Sequence, residues 1–507
     1  MNIANIIILT YLLGINSFVV FSNRICKNYN QHYLKDKFTP VTEEVNIKIN
    51  HENKLFKQLK NSFFAQIGSN PKHVEGEDYH WFDGDGMIHG IFFNNSFMTY
   101  NNKWIQTKRL EVEDKWNKKM YLYFGELKGF NGIYQIFKYA FMEILGFLPP
   151  AKGTANTALL HWENEIYALH EGDMPYNLNV NYSACTISTK GRLNYKNIYS
   201  TTAHPIIDKK RKLLYLYGYN NYDFVNGKFI FNVFNRKMEL LNQKNITLLN
   251  NGMTHDVGFT GNDIIIPDMP LKYDFARMFK QELPLYFDNK DGITRFGIFN
   301  VKTQQDPDWY YFNNNFFIFH FAKTYKKNNK YNIFACVMNE LHMEDFVEVD
   351  HVKNPEHIIR GDLRLKKIII DIKKNTTKII ENENLNNLPL NFNYNLDFPI
   401  ESQINKNHIY CTIFNAGVGY IHGYVKINTK NFEKSEPQIF LFENNMYGNS
   451  EPQVVVINNK EYLLTFTNDD IKSYISLIDI DNNTIDSIEI NARIPPGFHS
   501  LYLKHKN

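Results

Sequence analysis

Cysteine is scarce: Cys26, Cys185, Cys336 and Cys411 are the four in 507 residues, far apart and with no CxxC pair. That excludes a disulfide framework and a zinc-ribbon site. Charge of one sign is scarce too, since 56 Lys and Arg against 53 Asp and Glu leave a net +3. The sequence therefore carries no basic footprint, and no nucleic-acid partner is expected. It is not poor in apolar residues either: 43% are hydrophobic and 21% charged, which excludes a wholly disordered or collagen-like chain. At about 150 residues per domain the length suggests three domains, although one large barrel or propeller would also absorb it.

What is abundant is aromatic: 40 Phe, 32 Tyr and 5 Trp make up 15% of the residues, favouring a β-rich fold whose pleated surfaces pack rings well. From about residue 60 onward, short alternating apolar runs end in Asn, Asp, Gly or Lys turns, as in 212–219, 228–234, 366–372, 410–414, 438–442, 462–466 and 474–480. A repeat runs through them. Ile369 to Thr376 aligns with Leu477 to Thr484, and segments 424–429 and 298–303 are looser copies. The strand-end positions Val301, Ile372, Ile427 and Ile480 stand 71, 55 and 53 residues apart. At that period residues 60–507 hold seven or eight units, the size of four-stranded propeller blades. A β-sandwich with coincidental spacing is the competing architecture.

The expected organisation is a signal peptide or N-terminal anchor at 1–23, a Lys-rich linker of transit-like character at 24–59, and the β domain at 60–507. Met1 to Asn23 is uncharged, holds the apolar runs 6–9 and 18–21, and offers Val20 and Ser22 as a small-residue cleavage site. This points to the secretory pathway or membrane association, with a plastid-type organelle or the cytoplasm as alternatives. One segment breaks the β pattern: 130–148 reads as a helix ended by Pro149-Pro150, apolar but for a polar stripe at Asn131, Gln135 and Lys138. Such a helix packs inside a cap or lies at a membrane interface.

Among 17 His, four stand in apolar, strand-like contexts: His204, His255, His320 and His499. The first three are 51 and 65 residues apart, near the blade period, so one from each of several blades could converge on a propeller axis. A lone His, by contrast, is more often a satisfied core or surface residue.

The stretch HWFDGDGMIH at 80–89 is similar to a motif of the carotenoid cleavage oxygenase family. So are YNNKWIQT at 100–107, Asn156-Thr157-Ala158, Ala168 to Tyr176, Ala203-His204-Pro205, Met253 to Asp256, Phe319-His320 and Ala492 to His499, all in family order. The resemblance covers roughly residues 60 to 505. It implies an all-β, seven-bladed propeller with a non-haem Fe(II) on its axis under a helical and loop dome. It implies His204, His255, His320 and His499 as iron ligands, and Glu171, Asp397 and Glu451 as carboxylates behind His255, His320 and His499. No catalytic residue beyond the metal centre is implied.

Several positions depart from the family pattern. Asp397 stands where Glu is usual, so it is expected to reach His320 only through a backbone shift or a bridging water. Lysines after His320 (Ala322 to Lys327) replace an acidic pair, and Gln66 to Pro71 replaces RNGPNP. The 83–86 stretch is expected to be a tight structural turn in which Gly takes positive φ.

The implied activity is cleavage of a conjugated C=C bond of a carotenoid or apocarotenoid by O2 into two carbonyl products. Alternatives on the same fold are a retinyl-ester isomerohydrolase, a stilbene-cleaving oxygenase and an inactive binding scaffold. Stilbene cleavers place Lys directly before the Glu, where this chain has His170. A neutral imidazole is a poor match for a fixed positive charge. The 130–148 helix is expected to contact a membrane peripherally.

Overall fold

The computed structural model describes residues 32–75, 78–150, 152–219, 225–346, 362–415 and 420–505. The expected leader at 1–23 lies outside them. The runs of alternating apolar residues form antiparallel strands, grouped in chain order into seven blades. Blade 2 runs from strand Ala158–Trp162 to Thr186–Arg192, and blade 3 from Ile206–Asp208 to Leu240–Thr247. Blade 4 spans Gly258–Phe259 to Asp308–Tyr311, and blade 5 Phe317–Lys327 to Thr376–Ile380. Blade 6 spans Tyr394–Glu401 to Gln438–Leu441, blade 7 Gln453–Ile457 to Thr484–Ile490, and a two-residue strand, Tyr447–Gly448, joins these last two.

Blade 1 closes the ring. Its strands Ser62–Ser69, Gly86–Phe93 and Phe97–Trp104 are joined by Ser500–Lys504, which pairs with Ser62–Ser69 from Ser62↔Lys504 to Gln66↔Ser500. The seam between first and last blades is apolar: Phe64, Tyr100, Phe466, Ile475 and Leu477 are buried together, with the Phe64 and Phe466 rings 5.1 Å apart. The repeat seen in the sequence is blade-specific, because Val301, Ile372, Ile427 and Ile480 all lie within one residue of the end of the third strand of blades 4 to 7.

Two expectations need correcting. Residues 46–50, placed in the linker, form the outer strand of blade 1, paired with Phe97–Trp104, and Tyr33, Leu34 and Phe38 are buried in the core. Gly84 and Gly86 are not positive-φ residues, since Gly84 has φ −70 and neither is among those with positive φ. They are small because neighbours crowd in: a Cβ on Gly86 would stand 2.3 Å from the Ala155 carbonyl oxygen, and one on Gly84 would stand 2.5 Å from the Tyr79 hydroxyl. Asp83 pins this turn by accepting hydrogen bonds from the backbone of Phe124, Gly125 and His80 at 2.7, 3.1 and 3.2 Å.

Insertions build a cap over one face. They include the helices Lys108–Trp116 and Gly129–Ile144, the hairpin Leu271–Tyr273 with Leu285–Phe287, and the turn Met343–Phe346. The Gly129–Ile144 helix, predicted over 130–148, turns its apolar face outward: Phe130, Phe137 and Ile144 are 68%, 71% and 81% exposed. Among the described residues, no helix is long and apolar enough to cross a membrane.

Candidate metal centre

One residue at or near the start of each blade's first strand faces the axis side of the ring. From blade 2 to blade 7 these are Thr157, His204, His255, His320, Asp397 and Glu451, and His499 precedes the closing strand of blade 1. The four His meet: one ring nitrogen from each lies within 4.8 Å of the others. His204 Nε2 is 3.0 Å from His255 Nε2, which is 3.3 Å from His320 Nε2.

Three of the rings are held from behind by carboxylates. His255 Nδ1 is 2.7 Å from Glu171 Oε1, His320 Nδ1 is 2.7 Å from Asp397 Oδ1, and His499 Nδ1 is 3.2 Å from Glu451 Oε2. An Nδ1 proton shared with a carboxylate leaves the Nε2 lone pair free and fixes the ring's orientation. Burial raises the cost of charge on Glu171, but His255 outweighs it and holds the carboxyl at about 2. His204 has no such carboxylate. Burial and the three neighbouring imidazoles keep it well below the ordinary histidine range, so it stands neutral.

Ring nitrogens converging at about 3 Å repel one another unless a proton or a metal cation lies among them, and four imidazoles, neutral once a metal displaces any such proton, suit a borderline divalent ion such as iron, zinc, copper or nickel. The donor set therefore fits a metal ion.

Asp397 makes its contact directly, without a bridging water, and by the other route expected for a side chain one methylene short, an adjustment of the backbone. The strand Tyr394–Glu401 bulges between Asp397 and Ile400, and Phe398 takes φ +46 there. Strand Phe317–Lys327 bulges on both sides of Phe321, next to His320. Bulges bend a strand and re-aim its side chains, so both partners are turned toward each other.

Above the imidazoles lies a mainly apolar cavity of about 440 Å³. Its walls include Trp81, Phe124, Leu271, Phe319, Met343 and Phe398. Phe398 packs against the site, tilted to the His320 ring at 5.1 Å and edge-on to the His499 ring at 5.0 Å between centres. The motifs of the sequence include Thr157 without giving it a place at the site, and Phe398 carries no motif signal of its own. The axial spacing of Thr157 from His204, 47 residues, was the available signal for the first.

A seven-bladed propeller carrying four convergent imidazoles at its axis, beneath an apolar cavity, defines a metal-dependent class of protein. The chain belongs to the retinal pigment epithelial membrane protein (RPE65) family, whose profile matches residues 38–504. It is 25% identical to the carotenoid 9,10(9',10')-cleavage dioxygenase 1 of Phaseolus vulgaris, over 93% of this chain and 89% of that one. It is also 25% identical to the carotenoid 9,10(9',10')-cleavage dioxygenase of Crocus sativus, over 94% and 89%. Among solved structures it resembles Pseudomonas brassicacearum lignostilbene dioxygenase, with TM-score 0.76, 16% identity and coverage of 95% and 100%. A cobalt-substituted Synechocystis oxygenase of this fold superposes with TM-score 0.73 at 17% identity, covering 92% and 98%.

Proposed function

We propose that this protein is a non-haem iron(II) dioxygenase that cleaves a conjugated C=C bond of a carotenoid or apocarotenoid. One C=C bond and one O=O bond break, and two C=O bonds form. The observation that carries the reading is the four-imidazole cluster, with its three carboxylates, beneath an apolar cavity. The names of the curated plant relatives supply the reaction class.

His204, His255, His320 and His499 would hold the iron, which supplies activation of dioxygen when bound. Glu171, Asp397 and Glu451 fix three of the rings in the tautomer that presents Nε2. Trp81, Phe319 and Phe398 exclude water and offer ring faces to the polyene and to any cationic character developing along it. His170, beside Glu171, is kept below the ordinary histidine range by burial. It is therefore no fixed cation for a phenolic oxygen, which favours a polyene over a stilbene.

The exposed apolar face of the Gly129–Ile144 helix serves as a peripheral membrane contact. The neighbouring turn Phe275–Lys280 extends it, with Phe279 edge-on to Phe130 at 5.9 Å, and joins the two strands of the cavity-lining hairpin. Two further relatives are named as chloroplastic, which supports a plastid-type location for this chain.

The test is anaerobic purification with metal analysis, then incubation with β-carotene, an apocarotenal, a retinyl ester and a hydroxystilbene, with products read by mass spectrometry. About one iron per chain and aldehydes from a polyene are expected. Wild-type iron content in His255→Ala, His320→Ala and His499→Ala would overturn the ligand set. Aldehydes from the stilbene alone, or an isomerised alcohol from the ester, would replace the substrate assignment.

A further inference from the structure

A second cavity, of about 530 Å³, adjoins the apolar one and shares Phe82, Asp83, His170 and Gly172 with it. Its character is different. Arg109, Lys152, Thr154, Asp173 and Arg192 contribute to its lining, so it is polar where its neighbour is greasy.

Most of its charge is already answered. Asp173 takes Arg192 Nε at 2.8 Å, while its other oxygen accepts the Gly153 amide at 3.0 Å. Arg109 is buried among Glu113, Asp85 and Asp83. Several hydrogen-bonding groups are nevertheless left without a protein partner among the described residues. Thr154 is 3% exposed and its hydroxyl has no partner. His170 Nδ1 accepts the Gly172 amide at 2.9 Å, which puts the ring proton on Nε2, and no described residue accepts it. Arg109 Nε adds a third donor, 3.6 Å from Glu113 and so beyond hydrogen-bonding range.

The His170 ring is fixed in the wall between the cavities by two glycines. A Cβ on Gly153 would stand 2.6 Å from its Nδ1, and one on Gly172 would stand 2.9 Å from its Cε1. Buried donors without partners are costly unless water or a ligand satisfies them.

We infer that this second cavity binds an uncharged oxygen-bearing end group, a hydroxyl or carbonyl, of the polyene whose conjugated part lies in the apolar cavity. A carboxylate is disfavoured because both arginines already face one, Arg192 on Asp173 and Arg109 near Glu113. The inference rests on the proposed polyene reading and narrows it to oxygenated members of that class.

The test separates binding from cleavage. Iron-loaded full-length protein is titrated with matched polyenes of one chain length, ending in a hydrocarbon ring, a hydroxylated ring, an aldehyde or a carboxylate. Binding is read by quenching of tryptophan emission, since Trp81 lines the apolar cavity. The hydroxyl and aldehyde forms should bind about tenfold more tightly than the hydrocarbon, the gain of one or two hydrogen bonds. Thr154→Val, nearly isosteric, should shrink that ratio several-fold while leaving hydrocarbon affinity unchanged, and His170→Asn, whose amide oxygen can keep the Gly172 bond, should shrink it as well. A water-filled void would give equal affinities in the wild type, and that result, preference for the carboxylate, or no binding of any polyene overturns the inference. Preferential binding without oxygen-dependent cleavage leaves this site standing and sinks the proposed reaction.

Discussion

Asp397 shows how much one backbone angle decides. From its side chain alone it should couple weakly to His320, yet the contact is as short as that of Glu171 with His255, both 2.7 Å, and Glu451 makes the longest of the three at 3.2 Å. Losing a carboxylate behind a metal-bound His typically costs about 10–100-fold in affinity or activity. Asp397→Ala and Glu171→Ala should therefore fall near the upper end of that range, and Glu451→Ala near the lower. Iron retention during dialysis against a chelator ranks the three; Glu451→Ala proving the most damaging would contradict this order. The four His could be placed from motifs with distinctive neighbours such as Asp256 or Pro205, and the three carboxylates from the family resemblance those motifs carry. Their reach could not, since the positive φ of Phe398 leaves no mark in residue composition.

At the scale of elements, the Gly129–Ile144 helix and the strand Asn46–Asn50 are instructive opposites. The helix was legible because its apolar residues fill most of its circumference. Whether they faced a core or the outside was not legible, because periodicity is silent about what a helix meets. Its exposed Phe137 and Phe141 should each contribute to membrane binding, as burying a Phe side chain is worth roughly 1.5–3 kcal/mol. Phe137→Glu with Phe141→Glu should thus reduce co-sedimentation with phosphatidylcholine liposomes at least tenfold at unchanged secondary structure. Undiminished co-sedimentation would rule out this helix as the contact. Asn46–Asn50, in contrast, was hidden because it lies at the rim of its blade, with a single buried position, Ile49, among polar and partly exposed neighbours. A strand with so little apolar signal reads as linker until its partner, Phe97–Trp104, is seen.

For the molecule as a whole, the period gave seven or eight blades because the strand ends it rests on are unevenly spaced, 71, 55 and 53 residues apart, and the axial positions are uneven too, from 47 to 77. Loops and the cap stretch the middle blades, while the third-strand repeat keeps its register within each. Closure depends on the seam around Phe64, which is fully buried against Phe466. Phe64→Ala should cost about 3–5 kcal/mol, the usual range for a large aromatic lost from a core. The denaturant midpoint should fall accordingly, whereas Val456→Ala, at a position 43% exposed in blade 7, should leave it nearly unmoved. The order of the axial residues carries a consequence for biosynthesis. On the ribosome, a nascent chain displays His204, His255 and His320 in turn, but the fourth imidazole arrives with His499, beside the strand that pairs with Ser62–Ser69. The complete four-imidazole set therefore cannot exist during translation of the preceding blades, and it comes together only once synthesis has delivered the last piece of the ring.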